Sequence, residues 1–360
     1  MEKFENIFID DTKNVERVSS KEYLKKGDIA IIDQGKELIV GYTNNKDYKM
    51  CKEERIVFGD HTRVFKYVNI PFVTGADGTK VLKLKDSNKC YYKYFYYYLL
   101  HSYIPNTGYN RHFKWVKELE FDIPQIDKQI AIVNKLDKVQ EIIDIRKKQI
   151  EELDELIKSQ FIEMFGDPIL NDKNFLYKEI GEISEIVTGT TPDTTNNDNW
   201  NGDINWITPA EINNDTFYVF ETERKITEKG RKSKSLTLMP KGTVIFSTRA
   251  PIGKTAIAEI EMCCNQGFKN CICNENINNV YLYYVLKNNT EYFNNLGTGA
   301  TFKELSKRVF EKIKISVPPI ELQNKFADLV KQINKHKFEI QKSLEEIQKL
   351  QESLMNKYFG

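Results

Sequence analysis

The sequence predicts an α+β chain: two small mixed α/β domains joined by two long helices that form an antiparallel coiled coil, with a pseudo-twofold internal repeat. Three observations predict it. One stretch of the chain matches a second without a gap. The matched stretches carry apolar residues at alternating steps of three and four. The regions ahead of them hold short strands, turns and one aromatic-rich helix each.

The repeat comes first. Sliding the chain by 194 positions aligns residues 121–166 with 315–360, with about ten identities. Phe121-Asp122-Ile123-Pro124-Gln125-Ile126-Asp127-Lys128-Gln129 answers Ile315-Ser316-Val317-Pro318-Pro319-Ile320-Glu321-Leu322-Gln323, and Phe165-Gly166 answers Phe359-Gly360. Upstream, Phe95–Leu99 resembles Leu282–Leu286, and Lys26-Gly27-Asp28-Ile29-Ala30-Ile31 resembles Lys241-Gly242-Thr243-Val244-Ile245-Phe246, at drifting offsets. The chain therefore reads as two copies of one unit, a diverged head followed by a helix that kept its register.

Each helix carries a seam. In the first copy it runs through Ile132, Leu136, Val139, Ile143, Arg146, Ile150, Leu153, Ile157, Gln160 and Met164. In the second it runs through Phe326, Val330, Ile333, Lys337, Ile340, Leu344, Ile347, Gln351, Leu354 and Tyr358. Charged and amide residues fill the other positions, and neither Gly nor Pro interrupts. Prolines stand where each helix begins and Gly follows its end. About 36 residues make a rod of roughly 54 Å. Two seamed rods separated by a domain are expected to pack antiparallel on each other. The expected boundaries are 1–126 and 167–319 for the heads, and 127–166 and 320–360 for the helices.

Within the heads, strands are expected over residues 27–35, 54–60 and 66–73, then 183–188, 204–208, 243–248, 255–259 and 271–273. Helices are expected over 91–100 and 280–287. The aromatic run Tyr91–Tyr98, Trp200 and Trp206 read as core. Six cysteines include Cys263-Cys264 and Cys271-x-Cys273, but no C-x-x-C pair or nearby histidine accompanies them, so buried reduced thiols are expected and no metal site. A net charge of +1 leaves polyanion binding open, because local basic surface decides it. No stretch reaches the length of a membrane span, and no basic n-region precedes an apolar run at the start. A cytoplasmic location is expected.

Several stretches resemble one family. Thr188-Gly189-Thr190-Thr191-Pro192 and Trp200–Pro209 are similar to the target-recognition domain of type I restriction-modification specificity subunits. So are Ser247-Thr248-Arg249-Ala250-Pro251-Ile252-Gly253-Lys254 and Cys264–Lys269. Ile32–Gly35, Phe58–Arg63 and Gly75–Lys80 resemble a different variant of that domain, which lacks the T-G-x-T-P segment. Val317–Gln323 and Phe165-Gly166-Asp167-Pro168 resemble the family's helix boundaries. The resemblance spans essentially the whole chain. It implies that each head reads one half of a split, asymmetric target in double-stranded DNA. It also implies that the helices hold the heads apart and bind two methyltransferase subunits, and that a restriction subunit can join. S-adenosylmethionine would be carried by the methyltransferase subunit; no cofactor is expected on this chain.

DNA faces recur about every 34–36 Å, so a two-headed reader needs a spacer of that order. As base readers the sequence offers Arg63, Arg249 and Gln266, since Arg suits guanine and Gln suits adenine. Lys66, Lys80, Arg111, Lys114, Lys254, Lys269 and Lys303 are candidate phosphate contacts. Thr190 and Thr208, inside the quoted motifs, complete the set.

Catalytic signatures are missing from the sequence. An adenine methyltransferase needs an N/D-P-P-aromatic tetrapeptide, and the one Pro-Pro here is Val317-Pro318-Pro319-Ile320. Gly253-Lys254-Thr255 suggests a phosphate loop, but Thr248 stands where that loop needs Gly. A targeting subunit without catalysis is expected. The alternatives are a coiled-coil scaffold that binds proteins without reading DNA, and a stand-alone nuclease or methyltransferase.

Overall fold

The run Ile29-Ala30-Ile31-Ile32 is too short for a helix and is buried at every residue, as a strand between two layers must be. Short strands, two to eight residues long, form both heads in this computed structural model, which describes residues 1–213, 216–249, 251–298 and 303–360. The chain divides into two compact units, Met1–Gln149 with Ile340–Gly360, and Ile150–Glu339.

In the first unit, β1 (Glu2–Lys3), α1 (Phe4–Ile7), β2 (Phe8–Asp10), β3 (Ile29–Ile32), β4 (Gly41–Thr43) and β5 (Arg55–Gly59) come first. They are followed by β6 (Phe65–Val68), β7 (Phe72–Thr74), β8 (Thr79–Leu84), α2 (Tyr92–His101), α3 (Phe113–Val116) and β9 (Glu120–Phe121). One antiparallel sheet has the order β2-β8-β5-β6, and a second has the order β4-β3-β7 with β3 and β7 parallel. The stretch 66–73, expected as one strand, is two. Pro71 interrupts it, having no N–H to give a ladder. The long helix α4 (Ile126–Phe165) starts in this unit.

The second unit contains β10 (Leu176–Glu179), α5 (Ile180–Ile183), β11 (Ser184–Val187), β12 (Trp200–Ile207), β13 (Tyr218–Val219), β14 (Arg224–Ile226) and α6 (Glu228–Ser233). Next come β15 (Val244–Phe246), β16 (Thr255–Ala258), β17 (Met262–Cys264) and β18 (Asn270–Cys273). The helices α7 (Asn279–Asn288), α8 (Thr290–Leu296) and α9 (Lys307–Glu311) and strand β19 (Lys314–Val317) lead to α10 (Ile320–Phe359). Its sheets run β11-β18-β15-β16-β13 and β14-β12-β17, with β12 and β17 parallel.

The two heads share one topology. β2, β8, β5 and β6 hold the places of β11, β18, β15 and β16, and β4-β3-β7 those of β14-β12-β17. This corrects one sequence match. Lys26–Ile31 leads into β3, whose counterpart is β12, whereas Lys241–Phe246 leads into β15, whose counterpart is β5. Lys-Gly followed by an apolar run marks any turn entering a strand, and only long-range pairing decides which sheet receives it.

Gln129 and Gln323 occupy matching places in the repeat, and both are fully buried. The Gln129 side chain accepts from Tyr91 N (2.9 Å) and donates to Lys89 O and Pro124 O (both 2.8 Å). Gln323 accepts from Asn278 N (2.8 Å) and donates to Asn276 O (3.2 Å) and Pro318 O (2.7 Å). Each glutamine thus ties the start of a long helix to the start of its head's aromatic helix. Replacing either with Ala strands several buried polar groups, so Gln129→Ala and Gln323→Ala are each expected to cost about 2–3 kcal/mol in urea unfolding.

The tyrosines follow the same logic. Tyr94 donates to Asp122 O and Tyr281 to Ser316 O. Tyr94, Phe95, Tyr97, Tyr98, Trp200 and Trp206 are buried, as the core reading expected.

The long helices pair within each unit. In the first, Ile132 and Leu136 share a core with Leu354 and Tyr358, and further along Gln351 donates to Gln140 at 2.8 Å. In the second, Lys337 bonds Asp154, while Phe161 and Phe165 meet Phe326. In both, one helix ascends as the other descends, so they are antiparallel. Val139, Ile143, Ile157, Val330, Ile333 and Leu344 are buried, and Ile150, Leu153, Ile340 and Ile347 are half-buried. Near the end of α4 the buried residues are Phe161 and Phe165, with Gln160 and Met164 only half-buried. A helix turns at 3.6 residues and drifts off a 3.5 seam, which here rotates the fourth-residue series 157, 161, 165 onto the head's core.

Among the described residues no helix is long and apolar enough to cross a membrane. Cys263, Cys264 and Cys271 are buried on β17 and β18. Burial pushes the Cys263 thiol up to about 11 and Cys264 to about 12, so both stay protonated at neutral pH.

Candidate nucleic-acid interface

In the first head, the loops that follow β3, β5 and β7 and the loop ahead of α3 are bolted into one rim. Gln34, just past β3, donates to Asp77 O (2.8 Å), and its side-chain oxygen accepts from His61 N (3.2 Å). Thr62 donates to Gln34 O. Asp60 N reaches Gly78 O (2.8 Å), and the Asp60 carboxylate accepts from Phe113 N (2.7 Å). Gly78 sits at φ +84°, and a Cβ there would stand 2.8 Å from the His61 ring, so the close approach requires glycine. His61 stacks on Tyr109 with ring centroids 4.8 Å apart and planes 8° from parallel. Asp60 and His61 thereby shape the loop between β5 and β6.

Charge gathers on this rim. Arg17 lies 3.1 Å and Arg111 3.6 Å from the Asp77 carboxylate, and all three are well exposed. With Asp60, Lys80 and others they line a cleft of about 120 Å³. Arg63 is half-buried in the left-handed region (φ 63°), with its guanidinium on Ile104 O at 3.2 Å. Lys80 lies 3.3 Å from Asp10 and over the Phe113 ring. Lys114 is exposed on α3 and lies over Trp115. Lys66 is drawn inside: its ammonium donates to Asp33 O (2.8 Å) and Glu37 O beside the Asp33 carboxylate. Burial holds its pKa below the ordinary lysine value, with Asp33 pulling the other way. As placed, it braces the turn after β3 and presents no charge to a backbone outside.

The second head forms the corresponding rim from residues 188–192, 208–211, 247–249, 251–254, 265–269 and 303–305. Thr191 donates to Gln266 Oε1 (3.0 Å), and Thr190 O accepts from the Trp206 indole (3.2 Å). Thr208 caps the turn Pro209–Glu211 in a reciprocal box with Glu211. Lys254 donates to Pro209 O at 2.7 Å. Arg249 pairs with Glu304 at 2.9 Å, and Lys269 approaches the same carboxylate at 3.8 Å. Lys269 is otherwise buried, its pKa lowered by desolvation. Lys303 is exposed, 3.5 Å from Asn294 O. Ala250, inside one quoted motif, lies outside the described residues.

Thr190, Thr208, Arg249, Lys254, Gln266 and Lys269 are thus brought onto one rim, and Arg63, Lys80 and Arg111 onto the other. Sequence reasoning missed Arg17, Gln34, His61, Asp77 and Tyr109. Gln34, His61 and Asp77 fell inside stretches already singled out in the sequence, whereas Arg17 and Tyr109 lay in none of them. Gly253-Lys254 is followed by strand β16 where a phosphate loop needs a helix, and the Lys254 ammonium is held by Pro209 O. Among the described residues no three His, Cys, Asp or Glu side chains are grouped to hold a metal.

Two heads of one topology, each exposing polar and cationic loops at one rim and joined by paired helices, define a class of two-headed binding protein. The chain belongs to the type I restriction modification DNA specificity domain family, which matches residues 1–155 and 172–352. It is 40% identical over 161 residues to the type I restriction enzyme MjaIX specificity subunit of Methanocaldococcus jannaschii, a match covering 44% of this chain and 37% of that protein. It is 26% identical to the EcoR124I/EcoR124II specificity subunit of Escherichia coli, over 87% of this chain and 81% of that one. The S subunit of a type I restriction-modification system from M. genitalium shares the fold, with a TM-score of 0.64 and 17% identity over 99% of this chain and 95% of that one.

Proposed function

We propose that this chain selects the DNA site on which a type I restriction-modification enzyme acts, and catalyses nothing itself. Each head reads one half of a bipartite, asymmetric target in double-stranded DNA. The paired helices dock two methyltransferase subunits, which bring S-adenosylmethionine, and through them a restriction subunit.

One observation carries the reading: heads whose seven matching strands share one topology present different chemistry on matching loops. After β3 and β12 stand Gln34 and Thr208, and between β5 and β6 or β15 and β16 stand His61-Thr62-Arg63 or Ser247–Lys254. After β7 and β17 stand Asp77 and Gln266. A kept scaffold with altered rims is what reading two different half-sites requires. Arg63, Lys80, Arg111, Lys114, Thr190, Thr208, Arg249, Lys254, Gln266 and Lys303 remain the proposed contacts, while Lys66 and Lys269 brace the loops that carry them. Apolar side chains exposed on the long helices support docking: Ile142, Ile145 and Leu350 in the first unit, and Leu156, Ile162 and Phe338 in the second.

The test is methyl transfer to genomic DNA by the methyltransferase partner, with and without this chain, mapped by long-read sequencing. Adenine methylation at one gapped, asymmetric motif is expected only with both present. Turnover by this chain alone, or unchanged partner specificity, would refute the proposal.

A further inference from the structure

The same two loops are bridged by an ion pair in both heads, with its polarity reversed. In the first head the β7–β8 loop supplies Asp77 and the loop ahead of α3 supplies Arg111, with Arg17 on the same carboxylate. In the second the β17–β18 loop supplies Lys269 and the loop ahead of α9 supplies Glu304, with Arg249 on the same carboxylate. Each rim therefore sets one carboxylate beside two cations: Arg17 and Arg111, both exposed, in the first head, and the exposed Arg249 with the buried Lys269 in the second.

Exposed ion pairs contribute little to folding, because water and salt screen them. Arg17, Asp77, Arg111, Arg249 and Glu304 are all exposed by a third or more, so stability is a weak reason for the arrangement. Its geometry is that of a phosphate site already occupied: one arginine lies at bonding distance from the anionic group (Arg17 at 3.1 Å, Arg249 at 2.9 Å) and a second cation adds its charge from 3.6 Å (Arg111) or 3.8 Å (Lys269). A DNA phosphate approaching either rim must displace the carboxylate or be repelled by it.

Resting on the DNA-reading function above, we propose that Asp77 and Glu304 are specificity-determining residues that stand in for phosphate. They hold the rim cations away from arbitrary DNA, and only a duplex whose base edges also fit releases them. Any backbone offers the phosphate, but only the target supplies base contacts sufficient to displace the carboxylate, so the device lowers non-specific binding more than specific binding.

The experiment uses the full chain with its methyltransferase partner and a mixed-sequence duplex, with affinity read by fluorescence anisotropy across a salt series. Asp77→Asn and Glu304→Gln are each expected to raise mixed-sequence affinity about three- to tenfold at low salt. The slope of log affinity against log salt should steepen by about one for each phosphate newly held. The ratio of target to mixed-sequence affinity should fall with it, while Asp77→Glu and Glu304→Asp should follow the parent chain. Unchanged or weaker mixed-sequence binding by the amide variants would overturn the proposal and mark the carboxylates as props that aim the arginines. A parent chain with no target preference would instead sink the DNA-reading function, and the mixed-sequence comparison would still be readable.

Discussion

Phe165→Ala is expected to destabilise the second unit by about 3–5 kcal/mol, the largest effect on folding of any substitution considered. Phe165 is fully buried where α4 ends. Its ring lies 4.8 Å from Tyr281, 5.2 Å from Phe161 and 5.4 Å from Phe326, so three elements lose a shared centre together. Truncation removes the transfer energy of the ring and leaves a cavity that rigid aromatic neighbours collapse into poorly. Hydrogen exchange should show the loss in α7 and in the first half of α10. Ile162→Ala, three residues earlier and 55% exposed, should change stability by less than about 1 kcal/mol. Equal effects from the two would contradict this account of the helix end.

Arg249→Ala is expected to alter recognition in one half of the target and leave the other half as it was. Losing a bidentate arginine contact to a base costs about 1–3 kcal/mol, or roughly tenfold to a hundredfold in discrimination at that position. The substitution also leaves Glu304 paired with Lys269 alone. Motif mapping of methylated genomic DNA reads both halves at once. Relaxation in both halves would contradict the assignment of one head to one half-site.

Much of this molecule was legible locally. The seam of α4 and α10 was visible because helix periodicity is a property of near neighbours, and Gln129 and Gln323 stood out as identities in an ungapped match. Their role was not visible. That each amide closes two hydrogen bonds to backbone groups of a separate segment, besides one at its own helix start, depends on where the aromatic helix lies. The misplaced match of Lys26–Ile31 to Lys241–Phe246 has the same origin, since a turn and four apolar residues do not encode their partner strand. The rim residues Arg17, Gln34, Asp77 and Tyr109 lie far apart in sequence, and nothing in their spacing foretells that they meet. Lys66 and Lys269 failed in the other direction. A lysine beside aromatic strand residues reads as a surface charge until its partners are found around it, two carbonyls and the Asp33 carboxylate for Lys66, the Thr248 hydroxyl and the Glu304 carboxylate for Lys269.

By itself, then, the sequence determined the duplicated plan, the two seamed helices, the strand-and-aromatic-helix character of the heads, and the loops worth watching. Each of these is written in periodicity, turn chemistry or direct repetition, which act over a few residues. The tertiary structure alone decided which strands pair, that the two heads share one topology, which cations face outward and which are drawn inside, and that a carboxylate sits beside two cations on each rim. Those outcomes arise from contacts between segments tens of residues apart, whose energies depend on burial and geometry that no local pattern carries.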